Sequence, residues 1–222
     1  MKTIASTILM MLVLQPVIAQ SPVPLSEEPR HHFKFENQYV RVYDVKVQAG
    51  DTTLYHTHSN DYLYVTIGKA ALRAQVLGSE AVDLFLKDGE TRYTSGPITH
   101  RVTNVTTGLF RNITIEVLKT VGSNAWDPVS IPGHTPVFEN DKVRVERLVI
   151  DPGQSIPLHT HSHSGLGVAV SAADIVIQSP PSQKPQKVHF KPGDFQWHDG
   201  PQTHSLENVG KTRFEAVHID WK

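Results

Sequence analysis

Two stretches of the chain, "YVRVYDVKV" at 39–47 and "KVRVERLVI" at 142–150, alternate apolar and polar residues with a period of two. Successive side chains of an extended strand point to opposite faces, so this rhythm predicts half-buried strands, and the β-branched residues that dominate it suit a pleated surface. Glycine and proline interrupt at short intervals, as at Ala49-Gly50-Asp51, Gly96-Pro97 and Asp151-Pro152-Gly153. Many short strands with frequent turns predict an all-β sandwich or barrel. Beyond the first twenty residues, no segment carries a convincing amphipathic helical rhythm.

The pattern is also written twice. "FENQYVRVYDVKVQAGDTTLYHTH" (Phe35 to His58) lies without a gap over "FENDKVRVERLVIDPGQSIPLHTH" (Phe138 to His161) at a constant offset of 103 residues. "DGETRYTSGPITHRVTN" (Asp88 to Asn104) then matches "PGDFQWHDGPQTHSLEN" (Pro192 to Asn208) at an offset of 104. Between the copies, "TVGSNAWDPVSIPGHTP" (Thr120 to Pro136) is rich in Gly, Pro and Ser and reads as a connector. The expected organisation is an N-terminal unit at 30–119, a linker at 120–136 and a C-terminal unit at 137–222.

Composition adds one unusual fact: 13 of the 222 residues are His and none is Cys. His-Thr-His occurs in both copies, at 56–58 and 159–161. Residues i and i+2 of a strand share a face, so His56 projects beside His58, and His159 beside His161. Two imidazoles side by side can fill two positions around a metal ion. His100 and His204 sit at equivalent places in the second matched block and are the natural third ligands. A single H-x-H pair is more often a pair of surface histidines, but duplication with a third His at matched spacing favours the metal reading. His31, His32, His134 and His198 have no such pattern and read as surface residues, while His189 and His218 read as hydrogen-bonded core residues. Tyr93 and Trp197 either line cavities or pack in the core. Tyr93, Asp199 and Glu207 are weak candidates for an acid or base. Asn104 and Asn208 fit either a second layer around the metal or a turn. Asn104 and Asn112 also carry glycosylation sequons.

The residues Gly50, His56, His58, Asp61 and Gly68, followed by Gly89, His100 and Asn104, resemble the two-part motif of the cupin superfamily. The second copy repeats it with Gly153, His159, His161, Gly193, His204 and Asn208. The chain is therefore similar to a two-domain cupin, a bicupin. This resemblance implies an all-β fold of two tandem jelly-roll (double-stranded β-helix) barrels in one compact chain, each with a metal inside. It assigns His56, His58, Asp61 and His100 to one site and His159, His161 and His204 to the other. The family's acidic ligand is usually Glu. Here Asp61 stands in that place after a shortened spacer, and Ser164 stands there in the second copy, leaving either a three-His site or one completed by His163. Gly165 and Gly167 are expected to leave free volume in the second barrel, and the first site is expected to hold its ion more tightly.

Imidazoles without thiolate suit Fe, Mn, Ni, Cu or Zn and do not choose among them. With Asp61 the first site would carry about one positive charge and the second about two, which favours an anionic group there. The resemblance implies a metal-dependent enzyme, foremost a dioxygenase acting on a small oxygen-rich compound. A redox-neutral lyase, decarboxylase or isomerase is the alternative, as is a non-catalytic module that binds metal or a small molecule. A formal net charge of −1 gives no footprint for nucleic acid. The expected partners are a small molecule and, in a homodimer, a second copy of the chain. Residues 1–19 carry Lys2, an apolar run from Ile4 to Leu14 and the small-residue pattern Val17-Ile18-Ala19. They read as a secretory signal peptide, which predicts a secreted or periplasmic product with no membrane attachment after cleavage.

Overall fold

The computed structural model describes residues 21–120, 131–180 and 184–222. The leader-like segment 1–19 and most of the connector lie outside the described residues. Among those described, the chain forms strands and a single 3-10 turn at Leu25–Glu27, with no α-helix. Among the described residues, no helix is long and apolar enough to cross a membrane.

The first unit comprises β1 (Val23–Pro24), β2 (His31–Glu36), β3 (Val40–Val47), β4 (His56–His58), β5 (Asp61–Ile67), β6 (Ala70–Val76), β7 (Ala81–Leu86), β8 (Thr91–Thr94), β9 (Ile98–Asn104) and β10 (Phe110–Val117). They form two sheets in the orders β1-β4-β9-β6-β7 and β2-β3-β10-β5-β8. The second unit comprises β11 (His134–Glu139), β12 (Val143–Ile150), β13 (Ser155–His161), β14 (Gly165–Ala169), β15 (Ala173–Gln178), β16 (Gln186–Phe190), β17 (Phe195–His198), β18 (Gln202–Asn208) and β19 (Phe214–Trp221). Its sheets run β11-β12-β19-β14-β17 and β13-β18-β15-β16, so the duplication in sequence is a duplication in topology. The units extend beyond the expected limits. Val23 pairs with His56 in parallel, and β11 begins at His134, inside the connector.

The alternation read as half-buried strands has a second consequence here. Val40 and Val42 on one face of β3 belong to a core shared with Val143, Val145, Leu166, Val168, Ile219 and Trp221 of the other unit. Tyr43, Val45 and Val47 on the opposite face belong to the first barrel's own interior. The middle strands are thus buried on both faces, because the two barrels pack sheet against sheet. A separate cluster around Ile150, Ile156 and Ile175 fills the second barrel. The shared apolar layer is fastened at its margins by polar contacts. Arg111 donates to the Pro192 carbonyl at 2.7 Å while its Nε pairs with Asp44 at 2.7 Å, and Arg147, paired with Glu215 of its own unit, donates to the Asp88 carbonyl at 3.4 Å.

Asn104 and Asn208 are staples at equivalent turns. Asn104 donates to the carbonyls of Val47 and Gly108 at 2.9 and 2.7 Å, and Asn208 to those of Ile150 and Thr212 at 2.8 Å each. Asn104 and Asn112 are both buried, so neither sequon presents its amide to solvent.

Candidate metal centre

The register of β4 against β9 sets His56 directly across from His100, and that of β13 against β18 sets His159 across from His204. His58 and His161 follow two residues along, on the same faces. In the first barrel the ring centres of His56 and His100 lie 4.6 Å apart, and those of His58 and His100 lie 5.1 Å apart. A residue that the sequence pattern did not mark joins them. His31 on β2 has its ring 4.6 Å from His56, and one ring nitrogen from each of His31, His56 and His58 lies within 4.8 Å of the others. A metal held at about 2.0–2.2 Å by each ligand keeps ligand atoms within about 4.4 Å of one another, so these imidazoles stand a small adjustment from coordination geometry.

Their outer partners orient them. The His31 Nδ1 lies 2.7 Å from Oε2 of Glu28, a fully buried carboxylate that also accepts from the backbone amides of Arg30 and Leu54. Burial pushes the Glu28 carboxyl up, but the imidazole and the two amides outweigh it and hold it at about 2. An ionised Glu28 makes Nδ1 the protonated nitrogen of His31 and leaves Nε2 as the lone-pair donor, the usual outer-layer arrangement for a metal-bound histidine. His56 is fixed in the same sense by Nδ1 donating to the Leu54 carbonyl at 2.9 Å, and its Nε2 is buried with no hydrogen-bond partner. An unsatisfied buried nitrogen costs about 1–3 kcal/mol, so a ligand that accepts its lone pair restores what folding removed.

Asp61, expected as the fourth ligand, is elsewhere. Its Oδ2 takes Tyr93 Oη and Lys142 Nζ, each at 2.5 Å, and its Oδ1 takes the Gly96 amide at 2.9 Å. The cause is strand parity. Tyr62 and Tyr64 point into the barrel and line its cavity, so Asp61, sharing a face with Leu63 and Val65, points toward the second unit. Tyr62 takes the inward position and stacks on His58 at 3.8 Å.

In the second barrel, ring nitrogens of His159, His161 and His204 lie within 4.8 Å of one another, with His159 Nε2 and His161 Nε2 at 3.2 Å. His134, 103 residues after His31, sits 5.7 Å from both His159 and His161. That shared offset was the available signal for both His31 and His134, which are not surface histidines. His198 and His218 are also interior, stacked at 5.3 Å. His163 joins none of the converging groups among the described residues. His32 and His189 are exposed, and His189 pairs with Asp174 at 2.7 Å. Trp197 packs in the core between the barrels, beside Tyr39 and Trp221. Asp199 accepts from the Trp197 indole at 2.9 Å, and Glu207 is exposed on β18.

Each ring cluster opens on a cavity. The first, about 250 Å³, is lined by His31, His56, His58 and His100 together with Tyr62, Tyr64 and Tyr93. The second is about 100 Å³. The space expected beside Gly165 is instead filled by the rings of His198 and His218, to which a Cβ on Gly165 would approach within 2.6 and 3.0 Å.

Burial, seconded by like charge on neighbouring rings, holds His56 down at about 4, His100 at about 3, and His134 and His204 at about 4. His58, His161 and His218 are lowered further, by burial first and then by the neighbouring rings. Neutral imidazole is the form that binds metal. A folded pKa below the ordinary value near 6.5 means that unfolding takes up protons in acid, so the stability present above about pH 6.5 is lost as pH falls toward 4, by at most about 1.4 kcal/mol per pH unit for each such ring. Asp220, raised to about 6 by burial, opposes the trend as a single group between about pH 6 and 4. Metal-free protein should therefore show a urea midpoint that is nearly level from pH 7.5 to about 6.5 and drops from there to pH 5, and an unchanged midpoint at pH 5 would contradict buried neutral clusters.

No family model matches the chain, and no curated protein does. Solved structures do. A cupin 2 conserved barrel domain protein from Leptotrichia buccalis superposes with a TM-score of 0.53 at 11% identity, over 86% of this chain and 87% of that one. Salicylate 1,2-dioxygenase from Pseudaminobacter salicylatoxidans gives 0.59 at 12%, over 86% and 76%. The fold is that of a bicupin. A single-residue variant of oxalate decarboxylase from Bacillus subtilis aligns over 88% of this chain and 75% of its own length, with a TM-score of 0.59 at 10% identity. Identities this low establish the fold, and the chemistry rests on the histidines and what surrounds them.

Proposed function

We propose that this bicupin is an exported metal-dependent oxidoreductase of dioxygenase type, working in its N-terminal barrel on a small oxygen-rich molecule. The carrying observation is that His31, His56, His58 and His100 line one cavity of about 250 Å³, with ligand nitrogens of the first three within 4.8 Å of one another. The donor set, all imidazole, fits Fe, Mn, Ni, Cu or Zn. A bound ion would supply Lewis acidity to a carbonyl or enol oxygen and, if redox-active, a place for dioxygen.

The protein's own share is binding and exclusion of water. Val45, Val47, Leu72 and Phe110 give the cavity an apolar wall that suits a carbon skeleton, and Thr53, Asn112 and Thr114 offer hydrogen bonds to its oxygens. Arg92 also reaches this lining, with its guanidinium paired to Glu90 at 2.7 Å. Tyr62, buried against His58, and Tyr64, pushed up to about 12 by burial, remain protonated donors. The described lining contains no carboxylate to shuttle protons, which favours oxygen chemistry over a lyase or decarboxylase. The neighbouring salicylate dioxygenase supports a hydroxylated acid as the substrate class. Export is proposed on the leader-like sequence alone. For the C-terminal barrel, with about 100 Å³ of space, metal binding without turnover is the favoured role.

The test is oxygen uptake by Fe(II)-loaded protein offered enediols, catechols and hydroxybenzoates. Uptake that depends on one substrate class and disappears after chelation supports the reading. No uptake with any class, from protein shown to contain Fe, would refute it.

A further inference from the structure

The C-terminal barrel contains a buried group of ligand-type atoms that its N-terminal counterpart lacks. His161 turns Nε2 toward His159, and its other nitrogen, Nδ1, is buried without a hydrogen-bond partner. That Nδ1 faces Oδ1 of Asp220 at 3.9 Å, too long for a hydrogen bond but within the spacing of two ligands on one ion. His218 Nε2 lies 3.0 Å from the same oxygen, and its ring packs 4.0 Å from that of His161. The three ligand atoms lie within 4.8 Å of one another, on three buried residues.

We propose that the C-terminal barrel binds a second transition-metal ion through His161, His218 and Asp220, next to the His159, His161 and His204 position and sharing His161 with it. Two imidazoles and a carboxylate suit Zn(II), Cu(II) or Co(II). With both ions bound, His161 donates from both ring nitrogens, and the proton that Nδ1 or Nε2 carried in the free protein is released to solvent.

The strand registers show that the site was built by exchange. Gly165 pairs with Asp220 and His198, and Gly167 pairs with His218. In the first barrel Tyr62 pairs with Glu116 and Thr94, and Tyr64 pairs with Thr114. Two inward tyrosines have become glycines and two inward threonines have become histidines, and beside Gly165 the His198 and His218 rings occupy the space a side chain would take. Glu146, also buried, lies opposite His218 across β12 and β19. Burial and then the Asp220 charge raise its carboxyl above the usual range. A cation beside Asp220 offsets that repulsion. His198, with both ring nitrogens buried and unpartnered, stands over His218 as a further donor.

Full-length protein stripped by chelation and reloaded with Co(II) tests this by metal content after desalting. Asp220→Asn and His218→Asn should each bind one equivalent fewer than wild type, while retaining the equivalent lost in His56→Ala. Cu(II)-loaded wild type should also give the EPR signal of a magnetically coupled pair, a readout that needs no variant. Unchanged stoichiometry in both variants, or only isolated Cu(II) signals at full loading, would mean that His218 and Asp220 merely orient His161, and would overturn the proposal. Neither result depends on the first barrel being catalytic.

Discussion

His58→Ala is expected to remove the ion of the N-terminal barrel and to lower substrate-dependent oxygen uptake by more than about a hundredfold, since even outer-layer groups around a metal are worth about ten- to a hundredfold. His58 is buried among His31, His56 and His100, and its Nδ1 has no hydrogen-bond partner. No nearby side chain can replace its lone pair. His31→Ala should weaken metal binding by at least about tenfold. Asp61→Asn should leave metal content unchanged. What Asp61→Asn does disturb is the junction of the barrels, where Lys142, Tyr93 and the Gly96 amide lose a charged acceptor. That loss should cost about 2–3 kcal/mol. Metal analysis beside urea unfolding of the three variants separates these effects. Loss of metal in Asp61→Asn but not in His31→Ala would restore the carboxylate as ligand.

Trp221→Ala should be among the most destabilising single changes, at about 3–5 kcal/mol. The side chain is fully buried, lies edge-on to Trp197 at 5.4 Å, and belongs to the apolar layer contributed by both barrels. Deleting it opens a cavity bounded by two sheets that cannot both close over it. Because the layer is common property, the two barrels should unfold in one transition, with a lower urea midpoint and an unchanged slope. Two separated transitions, or a cost below about 1 kcal/mol, would show that the barrels are independently stable.

Much of this was legible in the residues. The strand rhythm around Val42 and Val145, the offset joining Phe35 to Phe138, and the pairs His56-His58 and His159-His161 are local patterns, and local patterns survive without knowledge of the fold. The readings that failed depended on which face of a strand points inward. The shortened spacer after His58 places Tyr62, not Asp61, on the cavity side, and that spacing was visible although its consequence was not. His218 and Asp220 share a face of β19 by simple alternation, yet only the closed barrel shows that this face meets His161. His31 and His134 stand at the repeat offset in segments that otherwise share only Phe and Glu, "HHFKFE" against "HTPVFE". Their role comes from long-range pairing of β2 with β3 and of β11 with β12. Of the two glycines expected to leave empty space, Gly167 does and Gly165 does not, because a sequence does not show which side chains enter from neighbouring strands.

The central claim is that a metal ion sits among His31, His56, His58 and His100, with Asp61 turned away. Crystals of the metal-loaded protein, measured at the absorption edge of the ion used, test it most directly. An anomalous peak within about 2.0–2.2 Å of nitrogens from at least three of these imidazoles, with Asp61 on Lys142 and Tyr93, is the expected result. A peak ligated by the Asp61 carboxylate, or no peak in that barrel at full loading, would contradict the account.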